Sequence, residues 1–359
     1  MALGITVVIC TYNGSLLLPE TIRHIAQQRV SPRIQWEVIV VDNASTDNTN
    51  EIALQEWGKH TNATPFYVVK EPHQGITFAR ETGVRMASYD FILFCDDDNW
   101  LNSDYVALSY SIMLNNSSIG VLGGHGKLVY EVPPPSWVYK MSLFGNGPQA
   151  KQTGKVPRNL VYGAGCVIRK SAYLEIYEYG FKPMLIGREG KNLTSGEDYE
   201  ICYSIALLGY DIWYDERLKF KHFMPKARLT WDYHIRFFRD GAGSYEVLIP
   251  YQFILNYRCK NLFQFNVRII RVVLSSIKTL LKLSLKQTPL DSESDSNKIN
   301  NLRIVAVKAK LQSFERYQEM KQNFKTILNL KKEVTLITTI THADHKNYKT
   351  SFPNMEVAN

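Results

Sequence analysis

The stretch Phe91-Ile92-Leu93-Phe94-Cys95-Asp96-Asp97-Asp98 joins an apolar run to three consecutive carboxylates. The apolar part reads as a strand buried on both faces, the pattern of a parallel sheet covered by helices. Three like charges at the rim of such a strand repel one another and are costly to desolvate, so they need water or a cation. A solvated acidic loop satisfies that need. So does a hard divalent cation that also holds a phosphate, because oxygen ligands suit Mg²⁺ or Mn²⁺.

Working outward, the same grammar repeats. Ile5–Cys10 reads as a buried strand, followed by a helix over about Leu17–Gln28 with Pro19 in its first turn. Trp36–Val41 is a second strand ending at Asp42-Asn-Ala-Ser-Thr-Asp47, with a helix to about Trp57. Phe66–Lys70 is a third, and Gly75–Ala87 a helix carrying Arg80 and Arg85. Strand and helix alternate at crossover spacing, which predicts an α/β fold with a mostly parallel sheet. Ligands of such sheets sit beyond the carboxyl ends of the strands. Thr11, Asp42 and Asp96–Asp98 all follow strand ends, so one crevice should collect them.

Beyond a helix near Ser103–Asn115 the pattern loosens. Gly120–Tyr130 reads as strand, Pro133–Trp137 as irregular, and Gly145–Arg158 as a flexible loop. Tyr162–Arg169 resumes as strand. Ser195-Gly196-Glu197-Asp198 precedes a helix over Tyr199–Leu208, and Asp211–Tyr214 is strand before the aromatic and basic stretch Phe220–Arg239. From Asn266 to Lys286 apolar residues recur every three or four positions (Val267, Ile270, Leu274, Ile277, Leu281, Leu285), with Arg271, Lys278, Lys282 and Lys286 on the opposing side. That is a basic amphipathic helix, suited either to an anionic membrane surface or to packing on the main domain. A polar linker over Pro289–Asn300, a further helix to about Leu330 and a disordered end complete the chain. The domain reading is therefore 1–240, 241–288 and 289–359.

At 359 residues the chain can bury a substantial core, and 45% hydrophobic with 21% charged residues is the balance of an ordinary soluble protein. Five cysteines without paired spacing suggest neither a zinc site nor a disulfide framework. With no apolar leader after Met1 and no long uncharged apolar run, the expectation is a cytoplasmic protein, peripheral at most on the inner face of the cell membrane. The net charge of +8 is concentrated late, with fourteen Lys or Arg against five Asp or Glu between Asn266 and Lys332. A basic appendage on a neutral principal domain argues against a nucleic-acid binder.

Over roughly residues 4–235 these motifs resemble the inverting, nucleotide-sugar-dependent glycosyltransferases of family 2, which have the GT-A fold. The resemblance rests on Val7-Val-Ile-Cys-Thr11-Tyr-Asn13, Val40-Val-Asp42-Asn-Ala-Ser-Thr-Asp47, Gly75-Ile-Thr-Phe-Ala-Arg80, Phe94-Cys-Asp96-Asp97-Asp98 and Gly196-Glu197-Asp198. Glu81 departs from the amide that many relatives carry there. The fold implied is a Rossmann-like, mixed but mainly parallel sheet with helices on both faces, here with a C-terminal helical appendage.

The resemblance implies roles for individual residues. Thr11, Asn13 and Asp42 would face the donor nucleoside; the Asp42 carboxylate can accept the imide N–H of uracil, or it can satisfy backbone amides in its turn, a role that suits Asp47 better. Arg80 would pair with Asp96, reach a donor phosphate or make a surface ion pair. Asp98 would bind Mn²⁺ or Mg²⁺ directly, with Asp96 on ribose or metal-bound water. Asp198 would be the base that takes the acceptor's proton and Glu197 its support, although such a pair also serves simply as N-terminal helix charge. His222 is a third metal ligand in some relatives, or else a histidine bonded to a loop carbonyl. Arg228 would hold diphosphate on the donor or on a lipid-linked acceptor, and Trp137 and Trp231, with Tyr233, would stack on sugar rings or else serve as packing residues. The implied activity is transfer of a sugar, UDP-linked by expectation, to a hydroxyl of a saccharide or lipid-linked saccharide in surface-polysaccharide biosynthesis. A nucleotidyltransferase of related fold would normally show a Gly-rich, Lys/Arg-bearing loop after the first strand, where this chain has Thr11-Tyr-Asn-Gly-Ser15. A catalytically dead GT-A module for assembly or membrane binding would not require the carboxylates at Asp98 and Asp198.

Overall fold

The computed structural model describes residues 2–60, 63–141, 143–187, 193–286 and 294–350, with residues 337–350 described by backbone alone. Strands β1 (Ala2–Thr11), β2 (Trp36–Asn43), β3 (Phe66–Glu71) and β4 (Tyr89–Asp96) alternate with helices α1 (Leu18–Ala26), α2 (Thr49–Gly58) and α3 (Ile76–Met86). Then follow β5 (Asn99–Leu101), α4 (Tyr105–Asn115), β6 (Ile119–Tyr130), α5 (Ser136–Tyr139), β7 (Gly154–Lys155), β8 (Val167–Arg169), α6 (Lys170–Glu178), α7 (Glu197–Leu207) and β9 (Asp211–Met224). The C-terminal part is helical: α8 (Trp231–Asp240), α9 (Tyr245–Leu255), α10 (Leu262–Ser284), α11 (Asp295–Ser313) and α12 (Tyr317–Thr350).

One sheet runs in the order β3-β2-β1-β4-β8-β6-β9-β5, with β7 on β9. The first four strands are parallel, and β8 is antiparallel to both neighbours. Register places Thr11 beside Asp42 and Cys10 beside Asp96. The three strand ends therefore meet at one edge, as the alternation predicts. Two apolar clusters fill the faces of the sheet, one around Val7, Ile9, Val40 and Leu93, the other around Val8, Ile39, Val41 and Ile92. Neighbouring residues of one strand feed opposite layers, so the strands are apolar throughout.

Several local expectations change. Pro133–Trp137 is not wholly irregular: α5 starts immediately after Pro135, a position where proline's missing N–H costs a helix nothing. The expected flexible loop at 145–158 is tied to the sheet. Gly147 donates to the Gly126 carbonyl at 2.8 Å, and β7 pairs with Trp213 and Tyr214 of β9. The expected strand over Tyr162–Arg169 is regular only from Val167; Gly165 at φ 67° turns the chain before it. Finally, β9 does not stop at Tyr214. Leu218, Phe220, His222 and Met224 are buried while Lys219 and Lys221 are exposed, a period of two that carries the strand to Met224 and aims His222 inward.

The third large cluster joins the sheet's helices to the C-terminal part. Ile176, Tyr203 and Leu207 pack with Val247, Tyr251, Phe265, Phe324 and Leu330. Of the expected linker, residues 289–293 lie outside the described residues, as do the last nine of the chain, whereas Asp295–Asn300 belong to α11.

Candidate active site

The ends of β1 and β4, the turn before β8, the start of α7 and the end of β9 surround one cavity of about 660 Å³. Thr11, Arg80, Asp96–Asp98, Glu197, Asp198, His222 and Arg228 all line it. Its other wall comes from Phe237 and Phe238 of α8, Tyr245 and Leu248 of α9 and Ala306 of α11. The C-terminal helices thus form part of the cavity.

Asp98 is buried in the tight turn between β4 and β5. Its Oδ2 accepts from Arg228 Nη1 at 2.9 Å; its Oδ1 accepts from Asn99 Nδ2 at 2.9 Å and faces His222 Nε2 at 3.4 Å. The β5–β9 register, with Asn99 opposite His222, brings the histidine there. Burial lowers the His222 pKa, and the Asp98 charge and hydrogen bond more than offset this, holding the imidazole above its ordinary value. Its Nδ1 is buried without a hydrogen-bond partner, so the bonded-carbonyl reading of His222 does not describe this structure. Asp97 accepts from Thr11 Oγ1 at 2.6 Å through Oδ2, and its carbonyl accepts from Thr21. Burial, then the neighbouring Asp98, pushes the Asp97 carboxyl up to about 7; the same causes raise Asp96. A side chain at Gly14 would come within 1.9 Å of Thr11 Oγ1 and 2.7 Å of Asp97, which is why the loop after β1 is glycine there.

Gly196 enters α7 at φ 123°, a conformation that suits glycine, and Glu197 and Asp198 open the helix. Asp198 Oδ2 accepts from the Gly163 amide at 2.7 Å and Oδ1 from the Tyr199 amide at 2.9 Å. Burial and then the Glu197 charge raise the carboxyl to about 7, against the opposing pull of Arg80 and the two amides. Arg80 is not at the surface and does not pair with Asp96: it is buried, donates to Glu197 Oε1 at 3.4 Å and lies over the Phe94 ring. A Cβ at Gly163 would come within 2.6 Å of Arg80 Nη2, so that glycine lets guanidinium and carboxylate share the space.

Asp42 and Asn13 flank the cavity without lining it. Asp42 Oδ1 accepts from the Ser45 amide at 3.2 Å, and Asn13 Oδ1 accepts from the Thr46 amide at 2.8 Å. Asp47 accepts from the Ser15 and Thr49 amides, so both aspartates of this loop serve turns. Trp137 follows the packing alternative: it is buried edge-to-face against Trp231 at 5.3 Å and His234 at 4.7 Å, among Leu128, Met224 and Leu302. Neither tryptophan lines the cavity. The Phe and Tyr residues that do are Tyr12, Phe144, Tyr162, Tyr199, Phe237, Phe238 and Tyr245. Two further residues escaped the sequence reading. Asn43 accepts from the Gly75 amide at 2.8 Å, and Glu200 accepts from the Met184 and Leu185 amides.

Among the described residues no group of three or more His, Cys, Asp or Glu side chains forms a complete metal cage. The donor chemistry at Asp98 and His222 nonetheless fits a divalent ion. A carboxylate oxygen and an imidazole nitrogen face each other, a combination better suited to Mn²⁺ than to Mg²⁺.

Residues 6–176 match the family described as "Glycosyl transferase family 2". Curated relatives include Glycosyltransferase AglE of Haloferax volcanii, 27% identical over 126 residues, covering 35% of this chain and 40% of that protein. Poly-beta-1,6-N-acetyl-D-glucosamine synthase of Staphylococcus aureus is 22% identical over 250 residues, covering 68% of this chain and 56% of the relative. The chain thus spans about half, or less, of these relatives' lengths. Among solved structures, the mannosyltransferase PcManGT from Pyrobaculum calidifontis, in complex with GDP-Man and Mn²⁺, superposes with a TM-score of 0.54 at 18% identity, covering 86% of each chain. That likeness extends to the mixed sheet and its helices, the GT-A architecture. Residues 6–176, a little under half of the chain, thus resemble a glycosyl transferase family 2 domain.

Proposed function

We propose that this protein is an inverting glycosyltransferase, moving a sugar from a nucleotide-sugar donor to a hydroxyl of a glycan or lipid-linked saccharide in polysaccharide biosynthesis. The observation that carries the reading is that Asp98, His222, Arg228 and Asp198 all line one cavity. A carboxylate held near neutrality suits a general base, and a cationic and metal-competent group of side chains suits a diphosphate.

In this reading the donor nucleoside lies along Thr11 and Asp42, and its diphosphate lies toward Asp98. Asp98 and His222 would hold the Mn²⁺ or Mg²⁺, which supplies Lewis-acid neutralisation of the leaving diphosphate. Arg228 adds a fixed positive charge beside Asp98. Asp198 accepts the proton of the acceptor hydroxyl as its oxygen bonds to the anomeric carbon and the bond to the diphosphate oxygen breaks on the opposite face. The amides of Gly163 and Tyr199 hold both Asp198 oxygens, so the carboxylate is oriented before the acceptor arrives. Burial and the adjacent Glu197 raise the proton affinity of Asp198, and buried Arg80, paired with Glu197, pulls the other way. The cavity-lining aromatics on α8 and α9 offer faces for an acceptor sugar or its apolar carrier.

Calorimetric titration of a nucleotide-sugar panel, with and without Mn²⁺, tests the donor half. The expected result is Mn²⁺-dependent binding of at least one donor that is lost in Asp98→Ala while the far-UV circular dichroism persists. Equal metal-dependent affinity in the variant would remove Asp98 from the site.

A further inference from the structure

We infer that the exposed face of α10 docks the protein on an anionic lipid surface. The helix divides into three sectors. Phe265, Ile269 and Ser276 are buried, with Val272 and Val273 beside them, against the C-terminal core; Asn300 Nδ2 also donates to the Leu283 carbonyl. Packing on the protein therefore uses one side of the helix, and that side is not the apolar stripe that the periodicity picks out.

The stripe lies in a second sector and is open to solvent. Ile270 is 58% exposed, Leu274 and Leu281 61% each, and Leu285 87%, with Ile277 and Phe263 also exposed. These positions share one helix face, and from Phe263 to Leu285 they extend over about 33 Å. Exposed leucines and isoleucines in a continuous row are unusual on a soluble surface and mark a contact site. The third sector adjoins the stripe along one edge. It carries Arg271, Lys278, Lys282 and Lys286, all exposed, and no Asp or Glu occurs anywhere between Lys260 and Lys286.

The partner must therefore offer negative charge alongside an apolar interior. An anionic bilayer does both, with acyl chains under the stripe and headgroups at the basic edge. A second copy of α10 answers the leucines but brings no carboxylate to the lysines. Among the described residues no helix is long and apolar enough to cross a membrane, so this contact lies in the interface plane.

The test is co-sedimentation of the full chain with vesicles of phosphatidylcholine alone or mixed with phosphatidylglycerol. Binding should require the anionic lipid and weaken as salt is raised. Lys278→Gln with Lys282→Gln should lower partitioning about 30-fold. Leu274→Ser with Leu281→Ser should lower it about tenfold or more. Both pairs are exposed, so circular dichroism should be unchanged. Wild-type protein that ignores anionic vesicles at low salt overturns the inference. So does binding that survives the lysine pair, or a concentration-dependent dimer abolished by the leucine pair without any lipid binding. Vesicle binding is read without sugar turnover, so its failure is separate from any failure of the proposed activity.

Discussion

Asp198 shares a helical turn with Glu197 and Glu200, and the surroundings give each carboxylate a different task. Asp198 faces the cavity with two amides on its oxygens, whereas Glu197 answers the buried Arg80. If Asp198 is the base, Asp198→Asn should lower kcat by at least about 10²-fold with donor affinity nearly unchanged, because the contact matters in the transition state. Steady-state kinetics check this, and a collapse in Glu197→Gln with normal Asp198→Asn would move the role. The pH dependence has a definite sign. Asp198 must be deprotonated to act and its pKa is raised to about 7, so kcat/KM should fall as pH drops below about 7, roughly tenfold per unit. The carboxylates themselves were legible in the sequence, since motif and helix start both marked them. Their coupling to Arg80 was not, because 117 residues separate Arg80 from Glu197 and no local pattern reveals a pairing made by the fold.

At the scale of elements, α7 does more than present the proposed base. Glu200, one of its buried faces, accepts from the amides of Met184 and Leu185, and Thr77 Oγ1 reaches the Leu185 carbonyl. This fixes the segment that approaches the start of α3. Glu200→Ala should cost about 2 kcal/mol or more, as two buried donors lose their acceptor, and Glu200→Gln should recover part of it. Urea denaturation measures both. Periodicity located β1–β4 well because those strands are apolar on both faces. It failed at β9, where Leu218-Lys-Phe-Lys-His222 alternates but the lysines made it read as a basic stretch. The aromatic ring partners are ambiguous in the sequence for a related reason. Composition marks Trp137 and Trp231 as candidates for sugar stacking, but only the tertiary arrangement shows that they pack on each other and leave Phe237, Phe238 and Tyr245 to the cavity.

For the whole molecule, the sheet and the C-terminal helices share one core and one cavity. Tyr203 stacks on Tyr251 across that junction, and Phe265 packs on Phe324 behind it. Calorimetry should therefore record one cooperative unfolding transition, whereas two well-separated transitions would mean that the parts fold independently. The sequence resemblance, ending near residue 235, contained no sign of this continuity, because family motifs report the strand ends and the later helices have no such motif. The proposed reaction is inversion by direct displacement of a nucleotide, with Asp198 taking the proton. It is tested most directly by letting water replace the acceptor. Slow hydrolysis of the donor identified by the binding panel is followed by proton NMR, reading the anomer released before mutarotation. The first-formed sugar should have the opposite anomeric configuration to the donor, and Asp198→Asn should suppress its release. A first-formed sugar that retains the donor's configuration, or equal release by Asp198→Asn, would contradict it.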